Sequence, residues 1–443
     1  MDAGDLIELD VTDVAHGGVF VGRHEGRVIF VPDAIPGERV RVRLTDVGKA
    51  SFWRGDTLEV LDASPHRQVH VWRQADIDIA PEDRPGGADF GHIAPAYQRQ
   101  LKERVLADAL QRIGGFTDPS VVVAPASAPA TEPDETPDGT RWRTRVSLHV
   151  DADARVGPFA ARSHRVIPVD DLPLATEALE RTALTLSMAR PGRVDLVQPD
   201  DGRVRVIPRP EVKRDPRGRR RAPAPAPSEN GAGGEVVFER VGARDFALDA
   251  GGFWQVHRLA AHTLTQTVDA ALRRLGPDGA VIDPDGWHLD LYGGVGLFAV
   301  TLGDLAGPAA RITSVESDPR ATAHAGDNLV EWAGARAETD RVDRFVARLG
   351  AETSAAERDL LSRGVVLLDP PRSGAGRQVV EGIAALAPAA VVYVACDPVA
   401  LARDLAVFRE AGYDTASIDA LDIFPNSHHV EAVATLTRQV PPR

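Results

Sequence analysis

The stretch WHLDLYGGVGLFAVTLGDLA, residues 287–306, joins an apolar strand-like run to an apolar helix-like run through a turn rich in glycine. Farther along the chain, the strand-like runs ITSVE, VVLLD and VVYVA alternate with segments of helical character. Apolar strands that alternate with helices form a parallel sheet with helices on both faces. The sequence therefore predicts a doubly wound, Rossmann-like α/β domain over residues 246–443.

The glycine turn and the strand after it predict a nucleoside-type site. Open α/β sheets bind ligands at the carboxyl ends of their strands, and the turn DLYGGVG lies at such an end. Its candidate ligand contacts are Tyr292 and Gly294, since glycines let a ligand approach the backbone closely. Glu316 closes the next strand about 20 residues farther on, where an acidic side chain accepts hydrogen bonds from a ribose.

The only cysteine of the 443-residue chain, Cys396, ends the run VVYVA at the same edge of the predicted sheet. One cysteine forms no internal disulfide and cannot alone hold a structural zinc ion or an iron–sulfur cluster. The segment LDIFPNSHHV between the last two strand-like runs is too short for a parallel crossover. The final strand must therefore return antiparallel, which brings its first residue, Glu431, to the edge that holds Cys396. A thiol and a carboxylate that face one pocket predict a nucleophile and a base, although a buried structural thiol is the alternative for Cys396 taken alone.

The loop DPPRSGAG, residues 369–376, follows the run VVLL at this edge. Two prolines stiffen the loop and remove two backbone donors, which suits a wall beside a planar group. Asp369 is the candidate partner for polar atoms of a cofactor or a base. Arg372 either meets a phosphate or holds the loop.

The rest of the chain predicts two further units. Short strand-like runs in residues 1–62 are typical of a five-stranded barrel. Residues 63–245 form a second α/β region with a basic, proline-rich loop near 211–234. The net charge of −14 is unlike that of most nucleic-acid-binding proteins, but a basic face can coexist with an acidic remainder. The acidic start and the lack of a long apolar run predict a cytoplasmic protein that does not enter a membrane.

Four motifs resemble, in order, those of the uracil-C5 RNA methyltransferases: DLYGGVG, VVLLDPPRSGAG, VVYVACDPVALARDL and FPNSHHVEAVATL. That family uses S-adenosylmethionine to make 5-methyluridine in transfer and ribosomal RNA. The run GGVFVGRHEGRVIFVPDAIPGERVRVRL resembles the TRAM domain of its rRNA-directed branch. The resemblance implies that Cys396 adds to C6 of a uracil, that Glu431 removes the C5 proton, and that Gln255 of FWQVH contacts the cofactor.

The resemblance also implies partners for the chain. S-adenosylmethionine is the expected cofactor, RNA is the expected partner, and the TRAM segment favours 23S ribosomal RNA over transfer RNA. The barrel and the central region would hold the RNA, and the protein is expected to be a monomer. The candidate RNA contacts are Arg143 and Arg162, together with Lys102, Arg104 and Arg145.

The chain departs from the family pattern at two places. The segment DRPGGADFGHIAP has no cysteine where many relatives hold a four-cysteine iron–sulfur cluster, so we expect no cluster. Asp397 follows the nucleophile where asparagine is common in the family. A carboxylate at this position is expected to raise the pKa of the Cys396 thiol if it lies close and ionised.

Two other functions fit the same sequence. A methyltransferase that acts on a nitrogen would need no thiol, and a cytosine-C5 enzyme would differ only in its product. A non-catalytic RNA-binding or assembly protein that keeps the fold is the second alternative, which the altered Asp397 and the acidic net charge would allow.

Overall fold

A computed structural model describes residues 1–188, 190–211, 234–275 and 282–439. The basic loop predicted near 211–234 lies almost wholly outside the described residues. The described chain is a mixed α/β protein with an N-terminal barrel, a small sheet, a hairpin and a large sheet. No helix in these residues is long and apolar enough to cross a membrane.

The N-terminal barrel has five strands, as the sequence predicts. The strands are β1 (Leu6–Ala15), β2 (Val19–His24), β3 (Arg27–Val31), β4 (Arg39–Asp46) and β5 (Phe52–Asp62). They close in the order β1-β2-β3-β5-β4. Every second residue is buried from Ile7 to Val11 in β1 and from Val40 to Leu44 in β4, because successive side chains of a strand point to opposite faces. At Gly55 a Cβ would lie 2.3 Å from Val42 Cγ1, so the close pairing of β4 with β5 requires glycine there.

The segment after the barrel has little regular structure beyond two short 3-10 turns, and Arg84 holds it together. The Arg84 side chain is 3% exposed. Its guanidinium donates to the carbonyls of Ile77 and Ile79 and to that of Thr57 in the barrel, and pairs with Asp33 at 2.7 Å. A buried arginine with all these acceptors is well satisfied. It fixes the DRPGGADFGHIAP segment against the barrel.

The central region contains a four-stranded antiparallel sheet and a hairpin. From residue 95 to residue 274 the elements are α1 (Pro95–Arg112), β6 (Val123–Pro125), β7 (Arg145–Val150), β8 (Val156–Gly157), α2 (Glu177–Leu184), β9 (Gly192–Val197), β10 (Arg205–Pro210), β11 (Val236–Val241), β12 (Arg244–Asp249) and α3 (Ala260–Arg274). Of these, α3 packs against the helix Leu297–Ala306 and the large sheet. The sheet has the order β10-β9-β7-β8, and β11 pairs with β12. The hairpin spans residue 246, where the sequence sets its last domain boundary, and that boundary stays a prediction.

The large sheet has eight strands, and its helices carry the chain between them. The elements are β13 (Trp287–Leu291), α4 (Leu297–Ala306), β14 (Arg311–Glu316), α5 (Pro319–Asn328), β15 (Ala335–Thr339), α6 (Val342–Glu352), α7 (Ala355–Arg363), β16 (Val365–Leu368), α8 (Arg377–Ala385), β17 (Ala390–Ala395), α9 (Pro398–Glu410), β18 (Tyr413–Asp422) and β19 (Glu431–Arg438). The order is β15-β14-β13-β16-β17-β19-β18-β6. All residues of β13, β16 and β17 are buried, as expected for strands covered on both faces.

The last strand confirms the prediction made from the short segment before it. β19 runs antiparallel between β17 and β18, with Ala395 opposite Ala432 and Leu421 opposite Glu431. β6 was not anticipated in this sheet. It comes from the central region and pairs in parallel with β18.

Candidate active site

The glycine turn after β13 forms an open cradle at the edge of the large sheet. Tyr292, Gly294 and Gly296 all have left-handed backbones, with φ of 62°, 54° and 89°. At Gly293 a Cβ would lie 2.1 Å from Ser314 Oγ, whereas a Cβ on Gly294 would meet nothing within 4 Å. The turn is therefore pressed against β14 on one side and open on the other. A left-handed tyrosine is uncommon, and such strain is concentrated at functional sites.

Glu316 ends β14 beside this turn, where the sequence places it. Its Oε2 accepts a hydrogen bond from the Gly294 amide at 3.2 Å. Its Oε1 accepts from the amides of Ser317 and Asp318 at 2.5 and 2.8 Å. Three backbone donors thus fix the carboxylate at the rim of the cradle. Each carboxylate oxygen keeps further acceptor capacity for a ligand.

Two carboxyl groups lie under the cradle, the buried Asp290 and the half-buried Asp369. Ser314 Oγ donates to Asp290 Oδ2 at 2.9 Å, while Asp290 Oδ1 is buried with no partner among the described residues. Burial raises the pKa of Asp290 to about 7. Burial and the neighbouring Asp290 raise the pKa of Asp369 to about 7 as well. The sequence singles out Asp369 but gives no role to Asp290, the first residue of the quoted turn.

Cys396 and Glu431 come together at the ends of β17 and β19. The register pairs Ala395 with Ala432, and the next residues along the two strands are Cys396 and Glu431. Cys396 is half-buried and Glu431 is buried. Burial, with the charges of Glu431 and Asp369, raises the pKa of the Cys396 thiol to about 12. Burial and Asp369 raise the pKa of Glu431 well above its usual value. The Cys396 thiol therefore holds its proton at neutral pH in the free protein.

Asp397 has a different effect from the one expected. Its Oδ1 caps α9 by accepting from the Ala400 amide at 2.8 Å, and its Oδ2 lies 2.9 Å from His16 Nε2 in the barrel. The carboxylate is thus occupied by a helix end and an imidazole. The thiol pKa is raised, but the carboxylates that raise it are Glu431 and Asp369.

The barrel forms one wall of the cleft in front of Cys396. This cleft has a cavity volume of about 120 Å³, and the turn between β1 and β2 lines it together with α1 and the residues around Cys396. At Gly18 in this turn, a Cβ would lie 2.5 Å from Asp89 Oδ2 and 2.8 Å from His428 Cβ. Only glycine permits that close approach, so the N-terminal unit contacts the cleft directly. The sequence marks Gly17-Gly18 as a turn but gives no sign of its position.

The loop between β16 and α8 is clamped by the helix that follows the nucleophile. Asp404 of α9 is fully buried, and its Oδ2 accepts from the amides of Ala375 and Gly376 and from Tyr393 Oη at 2.8, 3.2 and 2.8 Å. Arg403 Nη2 donates to the Ser373 carbonyl at 2.7 Å. These contacts fix the loop that carries Asp369 and Arg372.

Gln255 lies in the segment between β12 and α3 and is half-buried. The preceding residue, Trp254, packs on Phe246 with ring centroids 5.7 Å apart. Trp254 also belongs to the same apolar core as Val295 and Leu297, which follow the glycine turn. The segment is therefore anchored to the core beneath the cradle.

Comparison with known proteins adds the family to this geometry. The family described as TRAM domain matches residues 3–57, and the family described as tRNA (Uracil-5-)-methyltransferase matches residues 355–439. An uncharacterised RNA methyltransferase of Streptomyces avermitilis is 37% identical, over 98% of each chain. The chain belongs to the uracil-C5 RNA methyltransferase family.

Two more distant relatives of this methyltransferase span almost the whole chain. The 23S rRNA (uracil(1939)-C(5))-methyltransferase RlmD of Shewanella denitrificans is 27% identical, over 97% of this chain and 95% of its own. The solved structure of Pyrococcus abyssi tRNA (uracil-54, C5)-methyltransferase in complex with S-adenosyl-L-homocysteine has a TM-score of 0.66 and 21% identity. It covers 97% of this chain and 99% of its own, which shows that the two share their fold.

The candidate RNA contacts of the methyltransferase fall into different environments. Arg162 is exposed, with a left-handed backbone, and lies 3.6 Å from Asp56 of the barrel. Arg104 is exposed beside the Tyr97 ring. Arg143 lies over the Trp142 ring, and burial and the charge of Arg372 lower its pKa.

Two of the proposed RNA contacts are wrong, because their charges are used inside the protein. Lys102 is 1% exposed, and its Nζ lies 2.5 Å from Asp422 Oδ1 and 3.0 Å from the Phe424 carbonyl. Arg145 donates to the carbonyls of Ala250 and Gly252 and to Glu239. Neither side chain has a free charge for a phosphate.

Proposed function

We propose that the protein transfers a methyl group from S-adenosylmethionine to C5 of a uridine in RNA, through a covalent bond between Cys396 and C6. The observation that carries the proposal is the β17–β19 register, which sets Cys396 and Glu431 at neighbouring strand ends, with Cys396 lining the cleft and Glu431 buried behind it. The cleft opens at the sheet edge that also holds the glycine cradle, so a donor and an acceptor can meet there.

The cradle fits S-adenosylmethionine. The Gly294 side of the turn is open, Glu316 is held at its rim, and Asp290 Oδ1 is a buried acceptor without a partner in the described residues. Tyr292, Gly294, Glu316, Asp369 and Gln255 are the residues proposed to hold the cofactor. When bound, S-adenosylmethionine supplies an electrophilic methyl group.

The side chains of the cleft then act on the pyrimidine ring. The Cys396 thiol first loses its proton to solvent. The thiolate then forms a bond to C6, and the C5–C6 π electrons move onto C5 and O4, which makes C5 nucleophilic. After C5 has gained the methyl group, Glu431 takes the C5 proton as a general base. The C5–C6 double bond re-forms and the bond from C6 to sulfur breaks. Glu431 returns its proton to solvent, so each group ends as it began.

The proposed substrate is a uridine that is unpaired or turned out of its stack, because C6 of a stacked base cannot reach a thiol. We propose 23S ribosomal RNA as the target, supported by the 27% identical relative of that name and by the barrel. In the barrel, Lys49 and Arg54 lie over the Phe52 ring at 4.8 and 5.7 Å, and Arg27 lies over the largely buried Trp53 ring at 4.2 Å. Cations beside a partly exposed ring such as Phe52 can hold phosphates and stack bases.

The variant Cys396→Ala tests this proposal. It should bind S-adenosylmethionine as the wild type does in calorimetry, yet form no 5-methyluridine in 23S ribosomal RNA, because the adduct cannot form. Ser373→Ala is the matched control on the neighbouring loop, where the side chain is exposed, and it should retain full activity. Undiminished methyl transfer by Cys396→Ala would refute the covalent mechanism and favour a nitrogen methyltransferase.

Two further outcomes would redirect the assignment. Wild-type protein that binds no S-adenosylmethionine would favour a non-catalytic RNA-binding protein. Nucleoside analysis that finds 5-methyluridine in transfer RNA but not in 23S ribosomal RNA would keep the chemistry and overturn the target. A 5-methylcytidine product would overturn the choice of base.

A further inference from the structure

Five side chains that line the cleft in front of Cys396 can carry positive charge: His16, Lys102, Arg372, His428 and His429. Three of them already face a carboxylate. His16 lies 2.9 Å from Asp397, Lys102 lies 2.5 Å from Asp422, and His428 lies 2.5 Å from Asp89. Within the part of the chain that the structure describes, their charges are therefore balanced locally.

Arg372 differs from these three, because its one polar contact in the described residues is with a neutral ring. Its Nη2 lies 3.2 Å from His429 Nε2. Burial and the charges of His428 and Arg372 lower the pKa of His429 to about 3, so the ring is neutral at pH 7. Since a guanidinium can only donate, His429 Nε2 is the acceptor. This contact orients the guanidinium without cancelling its charge.

The groups around the nucleophile are otherwise acidic. Glu431 from β19 and Asp369 from the loop both raise the pKa of the Cys396 thiol, and Arg372 opposes them. Arg372 also opposes the rise in the pKa of Glu431. Addition of sulfur to a uracil ring needs a thiolate and leaves a negative charge spread over C5 and O4. A positive charge beside the sulfur favours both species.

We propose that Arg372, oriented by the neutral His429 ring, is the cation that stabilises the Cys396 thiolate and the anionic adduct formed from it. The role of Arg372 toward the anionic adduct rests on the proposed function, whereas its role toward the Cys396 thiolate does not. The step itself transfers one electron pair from sulfur to C6 and moves the C5–C6 π pair toward O4. It requires no oxidant and no further proton donor.

The test uses the single cysteine of the chain, so it needs neither RNA nor cofactor. Alkylation of Cys396 by iodoacetamide at pH 9 reports the thiolate fraction of the free protein, since the thiolate is the nucleophile. Arg372→Met should alkylate about tenfold more slowly than wild type, because a nearby opposite charge shifts a pKa by roughly 1–3 units. Arg372→Lys keeps the charge and should stay within about threefold of wild type.

Arg377→Met is the matched control. Arg377 begins α8 at the end of the same loop, but it pairs with Glu381 and Glu410 at 3.1 and 3.0 Å, so its charge is already balanced. It should alkylate at the wild-type rate. Circular dichroism would verify that each variant is folded.

Three results would overturn the proposal. The first is Arg372→Met protein that alkylates as fast as wild type. The second is an equal loss in Arg372→Lys and Arg372→Met, which would assign the effect to the shape of the guanidinium. The third is an Arg372→Met protein that alkylates at the wild-type rate but binds RNA more weakly, which would assign Arg372 to a phosphate contact. A failure of Cys396→Ala to abolish methylation would instead remove the proposed function and leave the alkylation result intact.

Discussion

At the scale of single residues, the proposed nucleophile, Cys396, and the proposed base, Glu431, both lie where burial disfavours their charged forms. The raised pKa of Cys396 and of Glu431 has the same main cause, which is burial. Burial is also what makes a carboxyl group a strong base once a substrate proton becomes acidic. The cost is a low resting thiolate fraction, which fits a thiol that reacts only when a ligand has entered the cleft.

The variant Glu431→Gln should separate the two halves of the reaction. Glutamine keeps the size of the side chain but cannot take the C5 proton, so the methylated adduct should accumulate on Cys396. A slowly migrating protein–RNA band in a denaturing gel would measure it. Glu410→Gln, an exposed residue of α9, should give no band, and neither should the double variant Cys396→Ala/Glu431→Gln. Normal product formation by Glu431→Gln without any adduct would exclude Glu431 as the base.

Sequence patterns reach some of these residues and not others. The sequence makes Cys396 a candidate because it is the only cysteine. It makes Glu431 a candidate because the short segment between the last two strands predicts that the final strand runs antiparallel. His16 could not be found in this way, because its contact with Asp397 joins residues 381 positions apart. Asp290 was also missed, since its burial and its unpaired oxygen depend on how β14 packs against the turn.

At the scale of elements, the loop from β16 to α8 depends on α9 for its shape. Three donors converge on Asp404 Oδ2, and two of them are amides of the loop. A Cβ on Gly374 would lie 2.6 Å from the same oxygen, so loop and helix are in close contact. The sequence predicts a stiff loop from its two prolines. It does not indicate the carboxylate that holds the loop in place.

Removal of that carboxylate should loosen the loop and destabilise the fold. Asp404→Ala leaves the Gly376 amide and the Tyr393 hydroxyl without their acceptor, and the Ala375 amide with Tyr393 Oη alone at 3.1 Å. The expected loss is about 3 kcal/mol of unfolding free energy, because buried donors left unpaired are costly. Urea denaturation followed by circular dichroism would measure it. Asp414→Ala, an exposed position at the start of β18, is the control and should change stability by less than about 0.5 kcal/mol. If Asp404→Ala also changed the unfolding free energy by less than about 0.5 kcal/mol, Asp404 would not be what holds the loop in place.

At the scale of the whole molecule, the barrel, α1 and the large sheet meet around one cleft. Lys102 of α1 reaches into the sheet and pairs with Asp422 at the end of β18. Gln98 of the same helix donates to Asn426 Oδ1 at 2.9 Å, and its own oxygen accepts from the Asn426 amide at 2.8 Å. Helix α1 thus fixes the start and the middle of the segment that leads into Glu431.

The variant Lys102→Met tests this connection. It leaves Asp422 buried without its partner, which should cost about 3–5 kcal/mol of stability. The double variant Lys102→Met/Asp422→Leu removes both charges and should recover most of that loss. Thermal unfolding would compare the two with wild type. If the single and double variants are equally unstable, the charge of Lys102 is not what holds the segment.

The arrangement of the units shows where sequence patterns stop. Glycine turns, strand runs and their spacing predict the barrel and the wound sheet, because those patterns are local. The sequence predicts that Lys102 contacts RNA at the surface, but its side chain lies between α1 and the segment that joins β18 to β19. Its burial could not be inferred, since it depends on contacts between units about 320 residues apart, a separation fixed only by the folded structure.

The position of β19 has a consequence for synthesis. The ribosome makes β17 and its cysteine first, then β18, and β19 last of the three, although β19 lies between the other two in the sheet. A nascent chain that ends before residue 431 therefore has the thiol but lacks the Glu431 carboxylate. Such a chain leaves one side of β17 bare, and it has no group to complete turnover on an RNA that it meets near the exit tunnel.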